Sequence, residues 1–289
     1  MLKNYGSYFR ELRQEKGFTM AQIAEGVTSE SFLSKFERGQ SSISIELLLP
    51  LLEHINVKFD EFAALAGIPA NNYFYTFVDK ISELAATLTT LNVSILERIS
   101  EQELAYWDAG GKLYHQHLAI IAQVALVAKE NTNHFPSTLA QSVVDYLFDV
   151  QTWNQYELTL FTNTVRVLPE KVQLAFGGEV LAHLASGQRL NEHVKLGIEA
   201  MLNIITNQVR AEKYAQARKL LRGLQHIAPE MTWEHNIKTA FLNGIIQMKT
   251  SNYTVGFASA EAAVAAIQVA KQTGIASEYA RFLEIMKLK

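Results

Sequence analysis

Apolar residues recur at spacings of three and four along nearly the whole chain, and no segment sustains the strict alternation of a half-buried strand, so the pattern predicts an all-α protein. In the first part the apolar runs are short. They predict five helices, at roughly 4–16, 19–25, 29–37, 44–55 and 58–66. The stretch "AGIPANN" then gathers glycine, proline and asparagine and reads as a boundary, giving a domain at 1–66, a linker at 67–72 and a second domain at 73–289. Within the first domain Pro50 interrupts "SIELLLPLLEHI" and should kink that helix.

Beyond the boundary the predicted helices lengthen. Pro136, Pro169 and Pro229 each stand where a first helical turn tolerates proline and are expected to open helices. "YAQARKLLRGLQHIAPE" places Tyr214, Ala217, Leu221, Leu224 and Pro229 as the second half of a tetratricopeptide repeat does, and Tyr253 and Gly256 repeat Tyr214 and Ala217 after 39 residues. That interval exceeds the roughly 34-residue period of a standard repeat. The reading is therefore a solenoid of longer, degenerate helix pairs, with an irregular helical bundle as the alternative.

Composition narrows the class of protein. A chain of 289 residues, 48% hydrophobic and 19% charged, is that of a folded protein with room for two domains. With no cysteine, disulfides, thiolate nucleophiles and Cys-ligated metals are excluded, and the cytoplasm is the expected compartment. "LAIIAQVALVA" at 118–128 is the best candidate span, about half of the ~20 residues that cross a bilayer, and the N-terminus lacks a signal-peptide core, so no membrane segment is expected. His115 and His117 lie two apart, on different sides of a helix, and no HExxH, P-loop, GxSxG or aspartate cluster appears. An enzyme is not expected, nor any cofactor or metal. The net charge of −3 argues against a non-specific coat on nucleic acid. Residues 1–69 carry seven basic and nine acidic side chains, but the first 40 hold six basic against five acidic.

Within that basic half lies "GFTMAQIAEGVTSESFLSKFERG". Thr19 and Gln22 have the spacing of a capping box, Thr28 or Ser29 can cap the next helix, and Gly26 suits the turn between them. Ile23, Ala24, Leu33 and Phe36 fall where the two helices must pack. A unit of this kind presents the start of its second helix outward, in a shape that fits a major groove.

The pattern "FRELRQEKGFTMAQIA" followed by "SESFLSKFERGQSSIS" resembles the helix-turn-helix domain of the phage-repressor or XRE type. The resemblance implies that Arg13 and Glu37 form a structural ion pair between the first and third helices. It leaves Glu30, Ser31, Phe32 and Lys35 facing DNA: Lys35 for guanine or phosphate, Ser31 for either, Phe32 for a thymine methyl, Glu30 for cytosine. Gln40, Ser41 and Ser42, before a helix capped by Ser44, would meet a phosphate, and Gln22 and Ser29 complete the DNA-facing set. Met20 stands where such domains usually carry a glutamine that reaches DNA.

In the second domain "TWNQYELTLFTNTVRVL", residues 152–168, behind an XRE domain in a chain of this length, is similar to the Rgg/GadR/MutR regulators of Gram-positive bacteria. The similarity implies a cytoplasmic homodimeric transcription factor on double-stranded DNA, with a repeat domain that dimerises and takes a short hydrophobic peptide pheromone in its groove, and it leaves room for contact with RNA polymerase. Some members of that family join their DNA-binding domains by a disulfide, which this chain cannot form. Asn163, Asn203 and Asn243 recur every 40 residues, and with Asn207 and Arg166 they are the expected peptide-binding set. Carboxamides can both donate to and accept from a peptide backbone, and Arg166 can take a C-terminal carboxylate. Trp153, Tyr156 and Phe161 are expected in the core. The alternative is a DNA-bound repeat protein that recruits a protein partner without peptide control.

Overall fold

The computed structural model describes residues 5–68, 72–87, 89–130, 135–185, 191–228 and 231–288, and every regular element among them is helical. The chain forms two compact units, Met1–Thr76 and Phe77–Lys289. The first holds α1 (Tyr5–Glu15), α2 (Met20–Ala24), α3 (Glu30–Glu37), α4 (Ile45–His54) and α5 (Phe59–Leu65), and α6 (Tyr73–Ala86) runs across the division. The second holds α7 (Thr90–Asp108), α8 (Leu113–Glu130), α9 (Ser137–Asp149), α10 (Gln155–Thr164), a 3-10 turn at Val165–Val167, and α11 (Glu170–Ala185). Then follow α12 (Asn191–Arg210), α13 (Tyr214–Ile227), α14 (Trp233–Thr250), α15 (Tyr253–Val269) and α16 (Thr273–Leu288).

In the first unit, one apolar face of each short helix meets a common core of Phe9, Ile23, Leu33, Phe36, Leu52 and Phe62. Phe9 and Phe36 pack with ring centroids 5.9 Å apart. Gly26, at φ +72°, makes the turn from α2 to α3, a conformation that a side chain would strain. α4 continues through Pro50 and buries Leu51 and Leu52 beyond it. Residues 69–71 of the expected linker lie outside the described residues.

In the second unit, α12 packs against α10, α11, α13 and α14, which explains why Ile198, Met201, Leu202, Ile205 and Val209, on one face, and Ala200 and Ile204 beside them are all buried. The pairs α12/α13 and α14/α15 are the helical repeat, and Tyr214 and Tyr253 each open the second helix of a pair. A Cβ on Gly256 would stand 2.2 Å from Met248 N, so α15 reaches the α14 backbone only because no side chain intervenes. Pro136 caps α9 and Pro169 immediately precedes α11. Pro229 lies outside the described residues, and the helix after it starts at Trp233, capped by Thr232. Trp153 packs on Phe161 and Phe176 at centroid distances of 5.3 and 4.9 Å, as core. No described helix is long and apolar enough to cross a membrane.

Candidate functional site

The outer face of the first unit rests on an internal ion pair. Arg13 donates from Nε and Nη2 to Glu37 Oε1 and Oε2 at 2.6 and 2.8 Å, and from Nη1 to Phe18 O at 2.7 Å. Both side chains are buried, and the Glu37 bond, outweighing the cost of burial, raises the Arg13 pKa above its ordinary value. The pair therefore fixes the ends of α1 and α3 against each other.

With Leu33, Phe36 and Glu37 turned inward, α3 leaves Glu30, Ser31 and Lys35 exposed and Phe32 half-buried. Its start is set by Ser29 Oγ, which accepts from Phe32 N at 3.2 Å. The start of α2 is a complete capping box: Thr19 Oγ1 accepts from Gln22 N, and Gln22 Oε1 accepts from Thr19 N at 2.8 Å. Gln22 thus spends its oxygen on the cap, and its amide nitrogen remains for an outside acceptor. Met20 is half-buried against the core rather than extended outward.

After α3, Arg38 Nε donates to Gln40 Oε1 at 3.2 Å, which holds a cation beside the serine loop. Ser41 Oγ is buried without a hydrogen-bond partner, and Ser42 is exposed. Ser44 sits at the N-cap position of α4, but its side chain does not cap the backbone. It bonds Glu46 instead, and that bond, with the Glu46 N–H, lowers the Glu46 pKa. A carboxylate therefore complements the positive end of α4.

The second unit contains an open cavity of about 620 Å³. One wall is the polar stripe of α12: Glu199, Asn203, Thr206, Asn207 and Arg210, spaced so that all share one face of the helix. Asn163 and Arg166 adjoin it from α10 and the 3-10 turn, and Ile81, Ile121, Phe241 and Phe282 supply apolar walls. Lys238 Nζ donates to Glu199 Oε1 at 2.5 Å and to Asn203 Oδ1 at 2.7 Å.

The carboxamides are partly spent on the protein itself. Asn163 Nδ2 donates to Thr159 O at 2.8 Å, and Asn203 Nδ2 to Thr162 O at 3.1 Å. Asn207 Nδ2 donates to Gln173 Oε1 at 3.0 Å and Val165 O at 3.4 Å. What remains for a ligand is one N–H each on Asn163 and Asn203 and the acceptor oxygens of Asn163 and Asn207. Burial, and then the nearby Arg210, lower the Arg166 pKa to about 10 despite Glu278, so it stays charged at neutral pH. Arg210, its pKa also lowered by burial, lies 5.0 Å over the Phe282 ring. Burial works against the Glu199 charge, but Lys238 and His235 outweigh it and hold the carboxyl below its usual range.

A model described as the C-terminal domain of the HTH-type transcriptional regulator Rgg matches residues 96–281. The chain belongs to the Rgg family. A helix-turn-helix model matches residues 9–62, and the family is one of transcriptional regulators, not enzymes. Among solved structures, the SHP pheromone receptor Rgg2 of Streptococcus dysgalactiae is 20% identical, with a TM-score of 0.75 over 97% of this chain and 99% of that one. A bacterial peptide pheromone/receptor complex is 16% identical, with a TM-score of 0.77 over 99% of each chain. The PrgX/cCF10 complex is 16% identical, with a TM-score of 0.76 over 99% of this chain and 93% of that one. At these identities the likeness establishes the fold.

Within this Rgg chain, Asn163, Arg166, Asn203 and Asn207 line one cavity, and Asn243 does not. The difference in placement has a simple cause. Lys238 and Phe241 turn one side of α14 to the cavity, and Asn243, well over a quarter-turn from either, is exposed on another side. Equal sequence spacing did not preserve helical phase. Glu199, Arg210, Lys238 and His235 were missed. The first two were legible as polar positions at helical spacing from Asn203; Lys238 and His235 arrive from another helix and leave no such signal.

Proposed function

We propose that this Rgg regulator acts in the cytoplasm as a homodimer on double-stranded DNA, with residues 1–66 contacting DNA and residues 73–289 dimerising and sensing a short hydrophobic peptide. The observation that carries the sensing role is the cavity of the second unit. It combines apolar walls with carboxamides that keep unspent donors and acceptors, the chemistry that a peptide backbone requires. The solved relatives of like fold include a pheromone receptor and peptide pheromone complexes, which supports the same reading. On the DNA side, Ser31 and Lys35 are exposed on α3, with Glu30 and Phe32 beside them. Gln22, Ser29, Gln40, Ser41 and Ser42 flank that surface, and Arg38 joins them through Gln40.

The test begins with protein isolated from its host at native level. Mass spectrometry of its acid extract should recover a short hydrophobic peptide. That peptide should shift the affinity of the full chain for duplexes selected from a random pool, and Asn203→Ala with Arg166→Gln should abolish the shift while sparing DNA binding. A double variant that responds normally would remove the cavity from the proposal.

A further inference from the structure

A dense run of positive charge lies outside the first unit. From Lys213 to Pro229 the sequence holds four cations, Lys213, Arg218, Lys219 and Arg222, and no anion, in a protein whose net charge is −3. α13, within this run, packs on α12 and α14 and buries Ala217, Leu221 and Leu224. Turned the other way are Ala215, Lys219, Arg222 and His226, all exposed. Their spacings of four, three and four place them in one stripe along the helix. Arg218 flanks the stripe, half-buried, its Nη2 donating to Thr250 Oγ1.

The usual duties of surface cations do not account for this stripe. α13 has no acidic residue with which Lys219 or Arg222 could pair at helical spacing. Lys213, which precedes the helix, is taken by Glu170 at 2.5 Å. Only His226 stands in the last turn, where a cation complements the helix dipole. Nor is the stripe suited to a protein partner, because the centre of a protein interface is enriched in aromatic residues and depleted in lysine. Here Ala215 is the one apolar residue, and there is no aromatic ring. A phosphodiester backbone, by contrast, asks for cations at short intervals and little else. From Lys219 to His226 the helix rises about 10 Å, which matches about three phosphates along one strand of a duplex.

We propose that the outer face of α13 is a second DNA-contact surface, on which Lys219 and Arg222, with Arg218 and His226 beside them, hold the phosphate backbone of duplex DNA without reading its sequence. This rests on the reading above that residues 1–66 contact DNA, and it adds a contact that strengthens binding without choosing the site. The cations act as point charges that displace counterions, so the contribution depends on salt and not on base sequence.

The test uses the full chain, a duplex it selects from a random pool, and a scrambled duplex of equal length, titrated over a range of salt concentrations. Each neutralised phosphate contributes about 0.9 to the slope of log affinity against log salt, so Lys219→Gln with Arg222→Gln should reduce that slope by about two per bound chain and weaken binding about tenfold near 0.1 M salt. Both duplexes should lose affinity by the same factor, since phosphate contacts carry no sequence information. Lys195→Gln with Lys271→Gln removes two charges elsewhere in the second unit and should leave the slope as it was; an equal fall in that variant would overturn the assignment to α13. An unchanged slope in the α13 variant, with its helicity intact by circular dichroism, would overturn the proposal and leave the DNA reading in place. Normal DNA binding by that variant with loss of transcription in vitro would give the face to an acidic protein instead. Failure of the unaltered chain to select any duplex would overturn both readings.

Discussion

Arg13 and Glu37 are each useless alone in the interior they share. Losing one partner leaves an uncompensated buried charge, which typically costs about 3–5 kcal/mol, whereas replacing both by apolar residues of similar volume is often near neutral. Arg13→Met or Glu37→Gln should therefore lower the denaturation midpoint of the first unit sharply, and the double replacement by Met and Leu should recover most of it in urea titrations. Lys35 is the opposite case: it is exposed and carries no described structural bond. Lys35→Ala should cost about 1–3 kcal/mol of affinity for selected duplexes, with helicity and oligomeric state unchanged in circular dichroism and sedimentation. At this scale the sequence was informative where chemistry is local. The Thr19 capping box and the Ser29 cap need only neighbours in the chain, but the diversion of Ser44 to Glu46 could not be told from the ordinary cap that its spacing allows.

Elements are joined by buried polar contacts that link distant parts of the chain. His117 on α8 bonds Tyr156 on α10 through Nδ1 at 2.7 Å, and burial pushes its pKa from 6.5 down to about 4. Below pH 6.5 the unfolded chain takes up a proton that the folded one refuses. Stability present above that pH is thus lost as the pH falls toward 4, by about 3 kcal/mol for this group alone. Thermal melts between pH 7 and 4.5 should show that slope for the second unit, and His117→Phe should make it shallower. The α14/α15 contact depends on backbone proximity instead. Gly256→Ala places a methyl against Met248 N, so the helices must part, at a cost of about 1–3 kcal/mol and of effector response measured at the cavity wall formed by α14. Helix positions in both units could be read from apolar spacing, because each helix declares its own buried face.

For the whole molecule, two units with separate cores should unfold in two calorimetric transitions, each with its own enthalpy. A peptide present at a hundred times its dissociation constant should raise the second transition by about 2.7 kcal/mol of stability and leave the first near its original temperature. A single transition that moves as one would contradict that independence. The amino-acid sequence by itself determined the all-helical class, the five short helices before the boundary and the longer repeat pairs after it, since periodicity and caps are properties of short stretches. The Arg13–Glu37 tie, 24 residues apart, was implied only by the resemblance of its motif to the XRE-type domain. The cavity was decided only by tertiary structure. Its Asn203, Asn163, Lys238 and Arg166 come from different elements, and which of them face the same space depends on the rotational phase of each helix after packing. An error of one residue turns a side chain through about 100°, enough to move Asn243 from the wall to the outside, and nothing in a forty-residue interval records that angle.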